Sequence, residues 1–344
     1  MIETESEPAL LQRDRRATRL HRVTSATSVA GDVLELVLSP QDGSAVVPWT
    51  PGSHIDLVLP SGLERQYSLC GPFCSTASYT IAVLRESPGR GGSAEAHNLD
   101  VGSIVGVKGP RNNFPLVEAP SYLFLAGGIG ITPIIPMIED LARRGHEDWR
   151  LVYGGRSGNS MAYSRELASQ FPGNVTLCPE ESEGRLNFTT ILRGIEKGAI
   201  YACGPSAMLD ALASAHAQIS GPQLSLRTEQ FGIRTSGARS EATLKCDTDL
   251  IPDSDGVQFE IELRRSGKVL TVPPDRTILD VVLDEVPNVP YGCLQGFCGG
   301  CETTVLAGIP DHRDDFLTDE ERKSNRTMLI CVGRAHSPRL TLDI

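Results

Sequence analysis

Four cysteines constrain this chain more than anything else in it. Cys293, Cys298 and Cys301 stand in the run Tyr291-Gly292-Cys293-Leu294-Gln295-Gly296-Phe297-Cys298-Gly299-Gly300-Cys301, and Cys331 follows after 29 further residues. The spacing C-x4-C-x2-C…C is that of four thiolates wrapped round a [2Fe–2S] cluster. Such a core takes soft, anionic sulfur ligands, three of them from one short loop. Gly292, Gly296, Gly299 and Gly300 let the backbone close on it and adopt positive φ. Their N–H groups, turned towards sulfur, help to set the potential. Structural zinc favours repeated C-x2-C pairs, and here there is one. Disulfides belong to secreted chains. The four cysteines therefore read as metal ligands, and a segment that carries them moves single electrons. The remainder of the chain is expected to load it.

With 344 residues the chain exceeds one ordinary core, so two or three domains are expected. No apolar run reaches the roughly 18 residues of a membrane-spanning helix. The acidic start Met1-Ile2-Glu3-Thr4-Glu5-Ser6-Glu7 has no basic segment followed by an apolar one, so no signal peptide is read there. Residues 1–16 are expected to be a flexible tail. Nine cysteines outside a secretory context fit a reducing cytoplasm. The net charge of −11 is spread without a basic stripe, which argues against a nucleic-acid partner. No Cys-x-His pair occurs, so a Rieske centre in this chain is not expected.

Three textures follow one another. From about residue 17 to 115, short alternating runs are broken by Gly and Pro, as in an antiparallel sandwich or barrel, with a short helix near Ser93 to Asn98. From 116 to 231, strand and helix patterns alternate, which predicts a doubly wound parallel sheet with ligands at the carboxyl ends of its strands. Residues 232–256 are polar and turn-rich and read as a linker. Residues 257–344 open with a hairpin turned at Ser266-Gly267. A helix with a Thr277…Asp280 capping box follows, then the cysteine loop, a strand and a helix capped at Thr318. That order suits a β-grasp module. The predicted fold class is thus multidomain, β and α/β.

Several short motifs sit where ligands bind. Arg65-Gln66-Tyr67-Ser68 lies at a strand end; alone it is equally an exposed Arg and a half-buried Tyr. Gly89-Arg90-Gly91-Gly92-Ser93 leads into the short helix and reads either as an anion-binding turn or as an ordinary loop. Leu123 to Pro133 is a buried strand, a glycine turn holding Gly128 and Gly130, and a helix start, with Thr132 expected at the N-cap and Pro133 at the first helical position. Tyr201-Ala202-Cys203-Gly204-Pro205-Ser206 repeats that strand–turn–helix logic. Cys203 is also readable as a small buried hydrophobe, and Phe231 as plain core. Arg156-Ser157, after the second parallel strand, offers a contact for a 2′-phosphate.

In this order the motifs resemble the phthalate dioxygenase reductase family, which includes the vanillate O-demethylase reductases. The likeness runs from about residue 17 to Ile344. It implies an FMN-binding β-barrel over residues 17–115, an NAD-binding α/β domain over 116–231, and a C-terminal plant-type [2Fe–2S] ferredoxin over 257–344. By the same likeness Arg65 approaches the FMN phosphate end, Tyr67 packs on the ring and Ser68 bonds near N5. Gly91, Gly92 and Ser93 resemble the phosphate turn. Gly128, Gly130, Thr132 and Pro133 match the pyridine-nucleotide turn, and Cys203, Gly204 and Pro205 the nicotinamide-side turn. Phe231 matches the aromatic that covers the flavin. Ser68, Cys203 and Phe231 are the expected catalytic residues, and Arg156 an expected dinucleotide contact.

The expected function follows from these parts. A nicotinamide gives up a hydride, an iron–sulfur cluster takes one electron at a time, and a flavin converts between the two. The chain reads as the reductase component of a Rieske-type aromatic oxygenase or O-demethylase. Its cofactors would be FMN, a [2Fe–2S] cluster and NADH, with NADPH also allowed. Its partner would be a separate terminal oxygenase. A soluble monomer in the cytoplasm is expected, with no nucleic-acid or membrane partner. Two other readings stand beside it: an electron donor to a haem-thiolate monooxygenase, and a zinc-stapled binding protein without turnover.

Overall fold

The computed structural model describes residues 17–86, 91–195, 197–219, 224–231, 257–287, 289, 291, 296, 299–314 and 316–344. The expected tail and linker lie outside them. The chain divides into two units, Met1–Phe231 and Gly232–Ile344.

The first unit holds two sheets. Strands β1 (Arg19–Ala30), β2 (Val33–Pro40), β3 (Ser53–Val58), β4 (Glu64–Ser68), β5 (Tyr79–Leu84) and β6 (Ile104–Asn112) pair in the order β4-β3-β6-β1-β2-β5. Every pairing is antiparallel. A bridge between Leu69 and Ile81 joins the two ends and closes the sheet into a barrel. Alternation drives this: Leu36, Leu38, Ile55, Leu57, Ile81 and Val83 point inwards and are fully buried. The short helix Gly92–Ala96 packs at the end of β5.

The second sheet is parallel throughout. Strands β7 (Tyr122–Gly127), β8 (Trp149–Gly155), β9 (Val175–Pro179), β10 (Gly198–Gly204) and β11 (Leu224–Gln230) lie in the order β11-β10-β7-β8-β9. β7 is buried on both faces. Tyr122, Phe124 and Ala126 join one core, and Leu123 and Leu125 the other. Helix Ile134–Arg143 covers the first face. Helix Ser206–Ile219 covers the second with Leu209, Leu212 and Ala215. Strand order reverses between β7 and β10, and at such a switch point the loops part to leave a crevice.

Barrel and parallel sheet meet over Val33, Cys70, Ala82 and Ala162, with Ile129 and Tyr163 packed against them. Tyr163 has left-handed backbone, φ 59°. Its hydroxyl donates to Glu35 Oε2 at 2.7 Å. The Gly31 amide donates to the Asn159 carbonyl at 3.1 Å.

In the second unit, β12 (Phe259–Leu263), β13 (Lys268–Val272), β14 (Glu302–Ala307), β16 (Thr327–Leu329) and β18 (Arg339–Leu342) form a sheet in the order β13-β12-β18-β14-β16. β15 (Pro310–Asp311) and β17 (Arg334–Ala335) make a small ribbon. Only β12 and β18 run parallel among these pairings. Helix Ile278–Glu285 lays Ile278, Leu279 and Val282 into the core, as in a β-grasp. The predicted Thr277–Asp280 capping box is present, and the predicted cap at Thr318 forms a capping box with Glu321.

Candidate active site and cluster site

At the end of β4, Ser68 is buried and its Oγ has no partner of regular hydrogen-bond geometry among the described residues. Tyr67 precedes it, half-buried, with its phenol pushed up to about 12 chiefly by burial. Arg65 runs along the first turn of the helix Gly92–Ala96. A Cβ on Gly92 would come within 2.5 Å of Arg65 Nε, so only glycine leaves room for this guanidinium. Gly91 caps that helix at φ 81°, a conformation glycine adopts without penalty. Ser93 Oγ accepts the Glu86 amide at 3.1 Å and keeps its own proton to donate. Gly89 and Arg90 lie outside the described residues. Arg65, Gly91, Gly92 and Ser93 therefore form one cradle, which fits a phosphate. The orphaned Ser68 hydroxyl fits a polar ring edge.

The two glycine turns of the parallel sheet are pressed together. A Cβ on Gly130 would fall 2.1 Å from the Cys203 carbonyl oxygen and 2.8 Å from the Gly204 nitrogen. Gly128 differs: φ is +56° and nothing lies within 4 Å of where its Cβ would be. Gly130 thus serves contact between the turns, and Gly128 serves the turn itself and faces open space. Pro205 follows the second turn, and its Cδ would meet a Cβ on Gly127 at 2.9 Å.

The expected helix start needs correction. Gly128–Ile131 is a 3-10 turn with Thr132 at its C-cap, and Pro133 occupies the N-cap of the helix Ile134–Arg143. Thr132 has helical backbone and is buried. Its hydroxyl donates to the Ile129 carbonyl at 3.0 Å instead of accepting a helix N–H. The tight 3-10 turn claims the hydroxyl before the helix begins.

Cys203 is fully buried, and burial first, then the Glu229 charge, raises its thiol well above the usual range. Cys203 and Glu229 are register partners on β10 and β11. Glu229 is half-buried as a residue, yet its Oε2 is shielded from solvent and has no partner of regular hydrogen-bond geometry among the described residues. Burial pushes this carboxyl up to about 8, and the nearby Ser68 hydroxyl opposes part of the rise. Barrel residue Ser68 and sheet residues Cys203 and Glu229 thus meet in one place. In the sequence Glu229 stands in the run Glu229-Gln230-Phe231, where the family likeness gives a role to Phe231 and none to Glu229. Phe231 is partly buried against the core of the parallel sheet. Arg156 stands exposed beyond β8, away from this group.

In the second unit, Cys301 and Cys331 are buried and free of disulfides. Cys293 and Cys298 lie outside the described residues. The Ile330 amide donates to the Cys301 carbonyl, which brings the turn that carries Cys331 beside Cys301. Gly296 and Gly299 have φ of +80° and +74°. A Cβ on Gly296 would meet Val332 Cγ2 at 2.6 Å, and one on Gly299 would meet Phe316 Cζ at 2.3 Å. The residue next to Cys331 therefore packs directly on the cysteine loop. Two buried thiols and a loop that admits only glycine at these points fit a [2Fe–2S] cluster.

The comparisons agree with this geometry. Residues 124–214 match the family described as an oxidoreductase NAD-binding domain, and residues 261–336 that described as a 2Fe-2S iron-sulfur cluster binding domain. A tetrachlorobenzoquinone reductase of Sphingobium chlorophenolicum is 39% identical over 94% of this chain and 97% of its own length. A phthalate dioxygenase reductase, described as a modular structure for electron transfer from pyridine nucleotides to [2Fe–2S], superposes with a TM-score of 0.66 at 30% identity, over 97% of this chain and 99% of that one. The chain belongs to the phthalate dioxygenase reductase family. It is accordingly an oxidoreductase with an NAD-binding and a [2Fe–2S] domain, in the barrel, parallel-sheet and ferredoxin architecture of that family. An intact type IV self-sufficient cytochrome P450 monooxygenase also superposes, with a TM-score of 0.71 at 34% identity over 95% of this chain, which spans 41% of that longer protein. No described helix is long and apolar enough to cross a membrane.

Proposed function

We propose that the chain is the reductase component of an aromatic oxygenase or O-demethylase system, drawing reducing equivalents from NADH and passing single electrons to a separate Rieske-type oxygenase. The observation that carries this is the meeting of Ser68, from the barrel, with Cys203 and Glu229, from the dinucleotide sheet, on a chain that also buries Cys301 and Cys331. FMN, when bound, supplies the change from hydride to single-electron chemistry, and the cluster supplies the exit.

The chain's own residues set the terms. Arg65, Gly91, Gly92 and Ser93 hold the phosphate, Tyr67 gives the ring a wall, and Ser68 offers it a hydroxyl. Gly128, Gly130, Thr132 and Pro133 shape one side of the dinucleotide crevice, and Gly204 and Pro205 the other. With its carboxyl at about 8, Glu229 is mostly protonated at neutral pH and has a proton to donate beside Ser68. The raised Cys203 thiol stays protonated too. Neither therefore puts a negative charge where hydride arrives. Phe231, beside the end of β11, would shield the flavin face that nicotinamide uses. Cys293 and Cys298 complete the ligand set with Cys301 and Cys331. The working domains are 17–115 for FMN, 116–231 for dinucleotide and 257–344 for the cluster, with 1–16 a tail and 232–256 a tether. The protein acts as a cytoplasmic monomer, without membrane or nucleic-acid partners.

A second reading has one observation in its favour. The superposition on a self-sufficient cytochrome P450 supports donation to a haem-thiolate monooxygenase. One experiment sorts the readings. The purified full-length chain should show flavin and iron–sulfur absorption, both bleached anaerobically by NADH. It should then reduce a Rieske oxygenase faster than a haem-thiolate enzyme. A colourless protein carrying stoichiometric zinc would overturn the proposal, and faster reduction of the haem-thiolate enzyme would favour the second reading.

A further inference from the structure

We infer that Glu181 selects NADH against NADPH by fixing a carboxylate where the 2′-substituent of the adenosine ribose arrives; this rests on the dinucleotide reading above. Cys203 and Glu229 place the nicotinamide half on the β10–β11 side of the crevice. The other half must then run across the carboxyl ends of β8 and β9, on the far side of β7. Those two strands end in register, Gly155 opposite Pro179, so the residues that follow them are neighbours.

After β8 comes Arg156, then a 3-10 turn, Gly158–Ser160, held by reciprocal bonds between Ser157 and Ser160. After β9 comes the short helix Glu180–Glu183. Glu181 joins the two ends. Its amide donates to the Arg156 carbonyl at 3.2 Å, and its Oε1 accepts the Gly158 amide at 3.2 Å. Its other oxygen, Oε2, accepts no hydrogen bond among the described residues.

Arg156 alone would attract a 2′-phosphate. The neighbouring strand end carries Glu180, Glu181 and Glu183, and the Glu181 amide is bonded to the Arg156 carbonyl, so three carboxylates follow close in the chain on the segment that meets Arg156. A ribose 2′-hydroxyl can donate to Glu181 Oε2, the device by which acidic residues recognise NAD. A 2′-phosphate meets like charge at close range. It also finds the Gly158 amide already taken.

The test uses the full-length holoprotein and Glu181→Gln, whose amide oxygen can still accept from Gly158 while the charge is gone. Calorimetric binding of ADP and 2′,5′-ADP gives a readout independent of turnover, and kcat/KM for NADH and NADPH with ferricyanide gives a second. Wild type should bind ADP more tightly than 2′,5′-ADP. E181Q should shift both ratios towards the 2′-phosphorylated ligand by about tenfold or more, as expected for one unit charge removed at a few ångströms near a surface. Adding Arg156→Ala should lower the affinity for 2′,5′-ADP, while the gain of E181Q relative to its matched parent persists. Unchanged ratios in E181Q, or a gain lost entirely when Arg156 is absent, would overturn the inference. A wild type that binds neither ADP nor 2′,5′-ADP would overturn the dinucleotide reading beneath it.

Discussion

Glycines guard both sites, but against different neighbours. Beside Cys301 and Cys331, Gly296 and Gly299 are roofed mainly by the Val332 and Phe316 side chains, with the Asp314 Cα 3.0 Å from where a Gly296 Cβ would stand. Between the turns of the parallel sheet, Gly130 is pressed against main chain, the Cys203 carbonyl and the Gly204 nitrogen. A side chain can rotate or slide; a peptide group inside a sheet cannot move without its strand. The cluster site thus depends on its ligand atoms and on glycines kept at positive φ under mostly side-chain packing. The dinucleotide site depends on the spacing of two backbones and contributes few atoms of special chemistry.

The largest effect should come from a ligand atom. Cys301→Ser replaces a soft thiolate with a hard hydroxyl and removes one of the four proposed ligands. Iron content and the EPR signal of the reduced cluster should vanish, while NADH-dependent reduction of ferricyanide survives through the first unit. A wild-type EPR signal in this variant would break the comparison at its cluster end.

The next effect tests backbone against open space. Gly130→Ala forces a methyl into a peptide group and should lower kcat/KM for NADH by about 100-fold, since a shift of about 1 Å in a positioning element can cost that much. Overpacking of about 1–3 kcal/mol should accompany it as a lower melting temperature. Gly128→Ala has room and should cost only the left-handed backbone penalty, about 1–2 kcal/mol, with little change in kcat/KM. Equal kinetic losses in the two would show that the turns are not rigidly spaced.

The smallest effect is one of pH. The Glu229 carboxyl rests at about 8 in the fold against an ordinary 4.5. Between those values the folded chain keeps a proton that the unfolded chain has released, so raising pH favours unfolding. Stability from this group is complete below 4.5, declines through the window and is gone above 8. Glu229→Gln should flatten that decline, by a few degrees of melting temperature given the residue's partial exposure. Parallel melting curves for wild type and variant would remove Glu229 from the buried acid's role.

What could be read from the sequence divides along the same line. The cluster domain was legible because four cysteines, the proposed ligands, fall at a fixed spacing that needs no topology to be recognised. Strand–helix alternation gave the parallel sheet, and two threonine caps marked helices that begin where expected. The group Ser68, Cys203 and Glu229 joins a barrel strand to two adjacent sheet strands. Only the pairing of β10 with β11 places Glu229 beside Cys203, and no local pattern announces it. Thr132 was misplaced for a related reason: a threonine before proline reads as a cap until a 3-10 turn offers its hydroxyl a nearer carbonyl. Glu181 was silent because its meaning lies in a contact with the end of a neighbouring strand.

Tyr163 has a bearing on timing. Its phenol, held on left-handed backbone at φ 59°, reaches across to Glu35 in the barrel, and burial raises its hydroxyl far above its ordinary range. The Tyr163 hydroxyl therefore keeps its proton and can go on donating to Glu35 at neutral pH. The distance between the barrel's Ser68 and the sheet's Cys203 is then settled when the chain folds, and a dinucleotide arriving later finds the gap already cut to length. Whatever slow step limits turnover, it should not be the swinging together of these two halves.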